Sequence, residues 1–239
     1  MTPNEQRYLE IHKQEVYNKI STEINQATVE HVVREYLYKA HVTDKKSAKF
    51  QEYYFKTLNN EREFCESSNF FQQFKKQYSL QGIDNKYLGR LEARKPEILK
   101  YIREEKLAEL YFDFFKRSEI KHGDHFIEKD LGSFFAKLVH TFRPNDYCAL
   151  DNPIKNYLGL SRESFFLAFS VISNEYKQWS TDNKELLLTI RNQFKLLDTN
   201  CQIKHDQITD MKLLDLIFWS KANPTPKLSR QKHVLKKLN

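Results

Sequence analysis

The amino-acid sequence predicts an all-α protein with two lobes, and three observations support this fold class. Glycine and proline are scarce, with 5 and 6 copies among 239 residues, so few positions break regular structure. Apolar residues recur at helical spacing along most of the chain. We find no segment with the apolar–polar alternation that is typical of a half-buried strand.

The N-terminal region, residues 1–118, is predicted to be helical throughout. Residues 4–40 carry helically spaced apolar groups, and Thr43 and Asp44 are expected to cap a helix that runs to Leu58. A further helix is predicted from Phe64 to Tyr78. A connection marked by Gly82 and Gly89 follows, and Pro96 is expected in the first turn of the next helix.

The region 119–220 is predicted to carry the functional site. Residues 121–125, with the sequence KHGDH, are interpreted as a loop. Helices are predicted over 132–142, 153–158, 161–179, 183–197 and 206–220. Residues 221–239 form the third predicted unit, a basic tail.

The charge distribution points to a polyanion as partner. The formal net charge is +7, but six basic residues and no acid lie between Leu216 and the end, so the rest sums to about +1. A polar N-terminus and the absence of a long apolar run favour a cytoplasmic protein without membrane association. We expect a monomer without cofactors. No metal site is predicted, because His122 and His125 lack further ligands at suitable spacing. Glycine patterns for nucleotide hydrolysis or acyl transfer are missing.

The stretch from Ile127 to Gly159 is the most informative part of the chain. It predicts a tight turn at Leu131-Gly132-Ser133, a buried helix, a loop that ends at Asp151, and a helix opened by Pro153. A carboxylate is thereby placed at a helix start, about 19 residues after a turn that could hold a phosphate. The simplest alternative is an ordinary helix start, with Asn152 as the cap and Pro153 in the first turn.

This stretch resembles the helix-hairpin-helix DNA glycosylases. Their hairpin has the form L-P-G-x-G-x-K-T-A, and a V-D-x-x-V-x-R segment with the catalytic Asp follows 18–20 residues later. Here the hairpin corresponds to Leu131-Gly132-Ser133 and Ala136, and Leu150-Asp151-Asn152-Pro153-Ile154 is similar to the second segment. The likeness covers about 30 residues. Only one hairpin glycine is kept, and Asn156 stands in place of the Arg.

The resemblance implies a helix-hairpin-helix-like element and excision of an altered base from DNA. Asp151 would be the catalytic carboxylate, which stabilises positive charge on the sugar as the glycosidic bond breaks. Because Ser133 or Phe134 occupies the position of the lysine used by lyase-active members, simple excision without strand cleavage is implied. The iron–sulfur cysteine loop of some members is absent. An unusual substrate, such as a modified base in invading phage DNA, is a hypothesis.

Neighbouring residues are candidates for DNA contact. Backbone amides at Gly132 and the hydroxyl of Ser133 would bind a phosphate, with positive charge supplied by Lys129, Lys137, Arg143 and Lys155. A base that leaves the stack needs a pocket with aromatic walls. The candidates nearest in sequence are Phe134, Phe135, Tyr147 and Tyr157. For each aromatic residue the alternative is core packing, and for each cation a solvated surface.

Two other functions are compatible with the sequence. The protein could be a helical module that binds DNA without catalysis, through the same turn and tail. It could also be a helical protein-interaction or toxin-type domain with no special affinity for nucleic acid.

Overall fold

A computed structural model of the chain describes residues 2–43, 45–80, 82–116, 118–122, 125–199 and 203–223, with backbone alone at 45–48, 118–122 and 125–126. The protein is all-α. The helices of the N-terminal region are α1 (Pro3–Glu23), α2 (Val29–His31, continuing as a π-helical segment Val32–Val42), α3 (Lys45–Thr57), α4 (Glu61–Glu66), α5 (Phe70–Gln77), α6 (Asn85–Ala93), α7 (Lys95–Arg103) and α8 (Leu107–Phe114). After a hairpin of β1 (Ser118–His122) and β2 (His125–Lys129) come α9 (Gly132–Phe142), α10 (Asn152–Tyr157), α11 (Phe165–Asp182), α12 (Lys184–Leu197), a short 3-10 turn (His205–Gln207) and α13 (Asp210–Ala222).

The predicted C-terminal helices are confirmed. The bounds of α9 agree with the prediction at both ends, and α10, α12 and α13 begin within four residues of it. Pro96 lies in the first turn of α7, as predicted. There its fixed φ suits the helix and its missing N–H costs no hydrogen bond.

Helices cover most of residues 4–40, as the helical spacing of their apolar residues indicates, and they are divided between α1 and α2. Between α1 and α2, Asn25 binds its own turn: its side chain accepts from the amide of Ala27, and its backbone amide donates to the hydroxyl of Thr28. Such local bonds compete with the helical ladder. The predicted helix from Phe64 to Tyr78 is likewise interrupted between α4 and α5. Gly89, expected in a connection, lies inside α6, and Asp44 is outside the described residues.

The prediction of a loop at 121–125 is wrong at both of its ends. β1 and β2 pair antiparallel, with Ile120 opposite Ile127 and His122 opposite His125. Strands of five residues offer too few alternations to be recognised from period alone. A two-stranded hairpin is marginal by itself, so its stability depends on packing against the helices.

The buried apolar side chains form a continuous core from Val16 to Phe218. Helix α1 packs on α11, and the π-helical segment packs on α13. The core is therefore continuous across residue 118, the predicted boundary between the first two regions.

Helix α9 lies within this core. All of its positions except Ser133 and Lys137 are buried. A helix that is apolar nearly all round is a central helix. The two less buried positions, four residues apart, lie on the same face.

Candidate functional site

Asp151 is the N-cap of α10. Its backbone is extended, and its Oδ1 accepts from the amide of Ile154 at 3.1 Å. The cap is thus Asp151, and the expectation that Asn152 serves as the cap is wrong. Pro153 occupies the first turn, as expected. The start of a helix favours a carboxylate through its free N–H groups and dipole.

The second oxygen of Asp151 faces a lysine. Its Oδ2 lies 3.9 Å from Nζ of Lys137, and the two side chains are only 15% and 11% exposed. Burial lowers the pKa of Lys137, while the charges of Asp151 and Asp215 oppose that shift. A lysine whose ammonium form is disfavoured holds more of its amine in the neutral, nucleophilic form.

A second pair of charged residues lies on α13. Lys212 and Asp215 are 5% and 4% exposed, although charged side chains are seldom buried to this degree. The amine of Lys212 lies over the ring of Tyr54, 4.3 Å from its centroid. Oδ2 of Asp215 accepts from the amide of Ala149 at 2.6 Å. We call Lys137, Asp151, Lys212 and Asp215 the polar cluster.

Burial shifts both members of the α13 pair toward their neutral forms. It raises the pKa of Asp215 to about 7, against the Ala149 amide and the charge of Lys212. It lowers the pKa of Lys212 to about 8, with Asp215 opposing and Lys137 adding to the shift. Strongly shifted groups of opposite charge in one place are typical of functional sites, although structural networks also produce them.

A hydrogen-bonded chain supports the polar cluster from one side. His140 lies between the hydroxyl of Tyr54, at 2.9 Å from Nε2, and the carbonyl of Tyr147, at 2.6 Å from Nδ1. Because a carbonyl only accepts, Nδ1 carries the proton and Nε2 accepts from Tyr54. Burial, with the charge of Lys212, lowers the pKa of His140 to about 3, so the ring is neutral. The chain ties α3, α9 and the loop before Asp151 together.

The turn at Gly132 is packed inside the protein. The amide of Gly132 donates to Oδ1 of Asp130 at 2.9 Å, and the ring of Phe165 occupies the space where a Cβ would lie. No room remains there for a phosphate, and the amide already has an acceptor. The expectation that Gly132 anchors DNA is therefore wrong. Ser133, beside it, is partly exposed.

The predicted DNA-contacting cations are engaged within the protein. Arg143 pairs with Asp146 at 3.0 Å and with Glu105, which lies between α7 and α8. Lys155 is 7% exposed and donates to the carbonyl of Ser161 at 3.1 Å. Lys137 faces Asp151. The expectation that these three contact phosphates is not supported, because each has an internal partner. Lys129 is partly exposed, at the end of β2.

The predicted aromatic pocket is not assembled. Phe134 and Phe135 are 1% and 0% exposed and pack against other aromatic rings of the core, so their assignment to a base pocket is wrong. Tyr147 stacks on Phe169, with ring centroids 5.5 Å apart. Tyr157 packs against Phe218, and the amine of Lys19 of α1 lies over its ring. The aromatic rings at the polar cluster are those of α3 and of the α5 end: Phe50, Tyr54 and Tyr78.

Asp151 is predicted from the sequence to lie at a helix start, and it does. The contacts of the residues around it differ from those that the sequence predicts. Lys137 is visible as the single cation within the apolar run SFFAKLVHTF, a position where a surface lysine is out of place. Lys212 and Asp215 give a similar signal within MKLLDLIF. Neither sequence segment shows that these charged side chains interact, because Lys137 lies far from Lys212 and Asp215 in the chain.

Open depressions on the surface lie elsewhere. One of about 670 Å³ lies between α1 and α11 and is lined by polar side chains that include Lys13 and Glu175. Another, of about 300 Å³, lies at the end of α5. Neither of these two depressions includes a member of the polar cluster.

Comparisons with family models, curated proteins and solved structures find no match. Within the part of the chain that the structure describes, no helix is long and apolar enough to cross a membrane. In the same residues, no group of three or more His, Cys, Asp or Glu is arranged to hold a metal ion. The side chains of His122 and His125 are outside that description.

Proposed function

We propose that the protein is a DNA glycosylase that excises an altered base, with Asp151 as its catalytic carboxylate. One observation carries the proposal. Asp151 is fixed at the start of α10 by one oxygen, and its other oxygen lies 3.9 Å from the amine of Lys137. The carboxylate is thereby held in one orientation and shielded from most of the solvent.

This arrangement suits the breaking of a glycosidic bond. As the C1′–N bond lengthens, positive charge develops on the sugar, and a fixed carboxylate stabilises it. Limited hydration strengthens that attraction. The bonding electrons leave with the base, and water supplies the hydroxyl that ends on C1′.

The position of Lys137 favours a second activity at the same site, the cleavage of an abasic strand. Its amine would add to the C1′ aldehyde and release water, which gives a protonated imine. Loss of a C2′ proton would then expel the 3′ phosphate, and water would free the lysine. The family resemblance implies no lysine for this step, but Lys137 lies one helical turn beyond the expected position.

The DNA contacts of the proposed enzyme differ from those that the resemblance implies. Since Gly132 is packed against Phe165, the turn supplies no phosphate site. The basic residues of the tail are the remaining concentrated positive charge. Their contacts would not depend on sequence, and the altered base would be selected where it meets the polar cluster.

The test is base excision by the wild-type protein and by Asp151→Asn. Duplex and single-stranded oligonucleotides would each carry one altered base, and abasic sites would be revealed by alkaline cleavage. Asn caps helices as well as Asp, so this variant keeps α10 and loses only the charge. We expect excision to fall by at least about 100-fold with folding and DNA binding retained.

Asp146→Asn is the matched control. Asp146 is a nearby loop carboxylate that pairs with Arg143 and Lys177 close to the surface. This variant should excise at the wild-type rate. Equal excision by Asp151→Asn would refute the role of Asp151. Strand cleavage without alkali, with trapping of Lys137 on the DNA by borohydride, would establish the second activity.

The two rival functions predict different outcomes. A non-catalytic DNA-binding module would shift the oligonucleotide in an electrophoretic assay and produce no abasic sites. A protein-interaction or toxin-type domain would give no salt-dependent shift at all.

A further inference from the structure

The two carboxylate oxygens of Asp215 are in different situations. Oδ2 accepts from the amide of Ala149, while Oδ1 is buried and has no hydrogen-bond partner among the described residues. An unpaired buried acceptor costs free energy, and replacing Asp215 with an apolar residue would remove that cost. The carboxylate therefore calls for an explanation beyond packing.

The hydrogen-bonded oxygen acts on the loop that carries Asp151. Ala149 lies two residues before Asp151, between buried Cys148 and buried Leu150. The amide of Cys148 is held as well, by the hydroxyl of Ser173 at 3.2 Å. These two bonds attach consecutive residues of the loop to α13 and α11. The position of the Asp151 carboxylate follows from where this loop is fixed.

The charge of Asp215 acts on the lysines. The amine of Lys137 on α9 lies 6.0 Å from the ring centroid of Tyr78, and the amine of Lys212 on α13 lies 5.3 Å from that of Phe50, whose ring packs against Tyr78. If Asp151 were the only carboxylate there, it could balance one of these two ammonium groups, and the other would be buried without a counter-charge. The titratable groups that face Asp215 come from several elements: Lys137, Cys148, Asp151, Tyr176, Lys212 and the phenols of Tyr54 and Tyr78.

We propose that Asp215 is a positioning residue for the pair Lys137 and Asp151. It fixes the loop that ends at Asp151, and in its ionised form it supplies the negative charge that balances the second buried amine. Together with Asp151, and against the effect of burial, its charge favours the protonated form of the Lys137 amine. The inference rests on the proposed function only in treating Lys137 and Asp151 as the reactive pair.

The test is the pH dependence of Lys137 labelling in the full-length protein. Trace acetic anhydride would label amines across the neutral and alkaline range, and peptide mass spectrometry would give the midpoint for each lysine. Asp215→Asn keeps an acceptor for the Ala149 amide and removes the charge. We expect the midpoint of Lys137 to move to lower pH by about one pH unit. Exposed Lys100 is the internal reference and should not move.

Two further variants make the outcome decisive. Asp210→Asn removes a half-exposed carboxylate that pairs with Arg191, on the same helix as Asp215, and it should leave the Lys137 midpoint unchanged. Lys212→Met removes the competing positive charge and should raise the midpoint. If Asp215→Asn does not fold, the proposal is tested by the direction in which the labelling midpoint of Lys137 moves in Lys212→Met. An unmoved midpoint in folded Asp215→Asn, or a lowered one in Lys212→Met, would overturn the proposal.

The labelling needs no DNA, so its result is independent of the glycosylase assignment. If the wild-type protein excises no base, the proposed function fails and the midpoints still report on Asp215. If it does excise, the pH profile of excision in Asp215→Asn should move in the same direction as the labelling midpoint.

Discussion

The two carboxylate oxygens of Asp151 make different contacts. Oδ1 closes the start of α10, and Oδ2 faces Lys137. A residue that caps a helix and one that acts on a substrate are often treated as alternatives. Here the cap fixes the carboxylate without using the oxygen that would face a reacting sugar. The cap is therefore part of how the site could work.

At the same scale, Asp215 predicts an unusual dependence of stability on pH. Its pKa is about 7 in the folded protein against an ordinary value of 3.8, so folding favours its protonated form. Its contribution is fully present below about pH 4 and is lost as the pH rises through 7. His140, with its pKa lowered to about 3, contributes in the opposite sense, because its stabilisation is lost as the pH falls.

The variant Asp215→Asn separates these two effects. Its free energy of unfolding, minus that of the wild type, should increase between about pH 4 and 7 by on the order of a few kcal/mol and then level off. Urea denaturation at several pH values measures this difference. A difference that is constant over that range would show that Asp215 keeps its ordinary pKa in the folded protein.

The site is only partly predictable from residue types. Asp151 is identified because a helix start has a local signature of Asp, Asn and Pro. Lys137 is singled out from the sequence as a DNA contact, although its place within the apolar run SFFAKLVHTF is a signal of burial. Lys212 and Asp215 are missed, because their meaning depends on contacts with Ala149 and Tyr54 that no local pattern records.

At the scale of elements, strong apolar periodicity predicts helices well and does not predict their interruptions. The bounds of α9 are predicted at both ends, since Gly132 and Arg143 flank an unbroken apolar run. The breaks after α1 and α4 depend on side-chain hydrogen bonds of Asn25 and on short polar stretches, which leave the periodicity on either side intact. The hairpin is too short to show its period.

Helix α9 offers a test of its packed start. Gly132→Ala places a methyl group in the ring of Phe165, so we expect a loss of about 2 kcal/mol in the free energy of unfolding. Gly89→Ala is the matched control. Gly89 is an exposed position within α6 where a Cβ meets nothing within 4 Å, and alanine there should stabilise by up to about 1 kcal/mol. Thermal or urea denaturation compares the two, and a neutral Gly132→Ala would contradict the packing described.

At the scale of the whole molecule, most of the net positive charge lies in the C-terminal stretch that begins at Leu216. Removing residues 224–239 deletes five of the six basic residues in the C-terminal stretch, while the core ends at Phe218. These residues lie outside those that the structure describes. If the tail binds DNA, the truncated protein should bind DNA more weakly. Its affinity should also depend less steeply on salt. Fluorescence anisotropy between about 50 and 200 mM salt, as a titration at each concentration, measures both. Unchanged affinity and salt dependence would place DNA contacts elsewhere.

The bond between Tyr54 and His140 spans 86 positions, and the same phenol ring covers the amine of Lys212. One tyrosine of the N-terminal region thus contacts two residues that follow the hairpin. A proteolytic nick in the hairpin would leave all four members of the polar cluster on the C-terminal piece, and that piece alone would lack the ring of Tyr54 that covers the amine of Lys212. Co-expressed halves would therefore form the complete, covered polar cluster only by reassociating. Neither half, purified separately, would contain it.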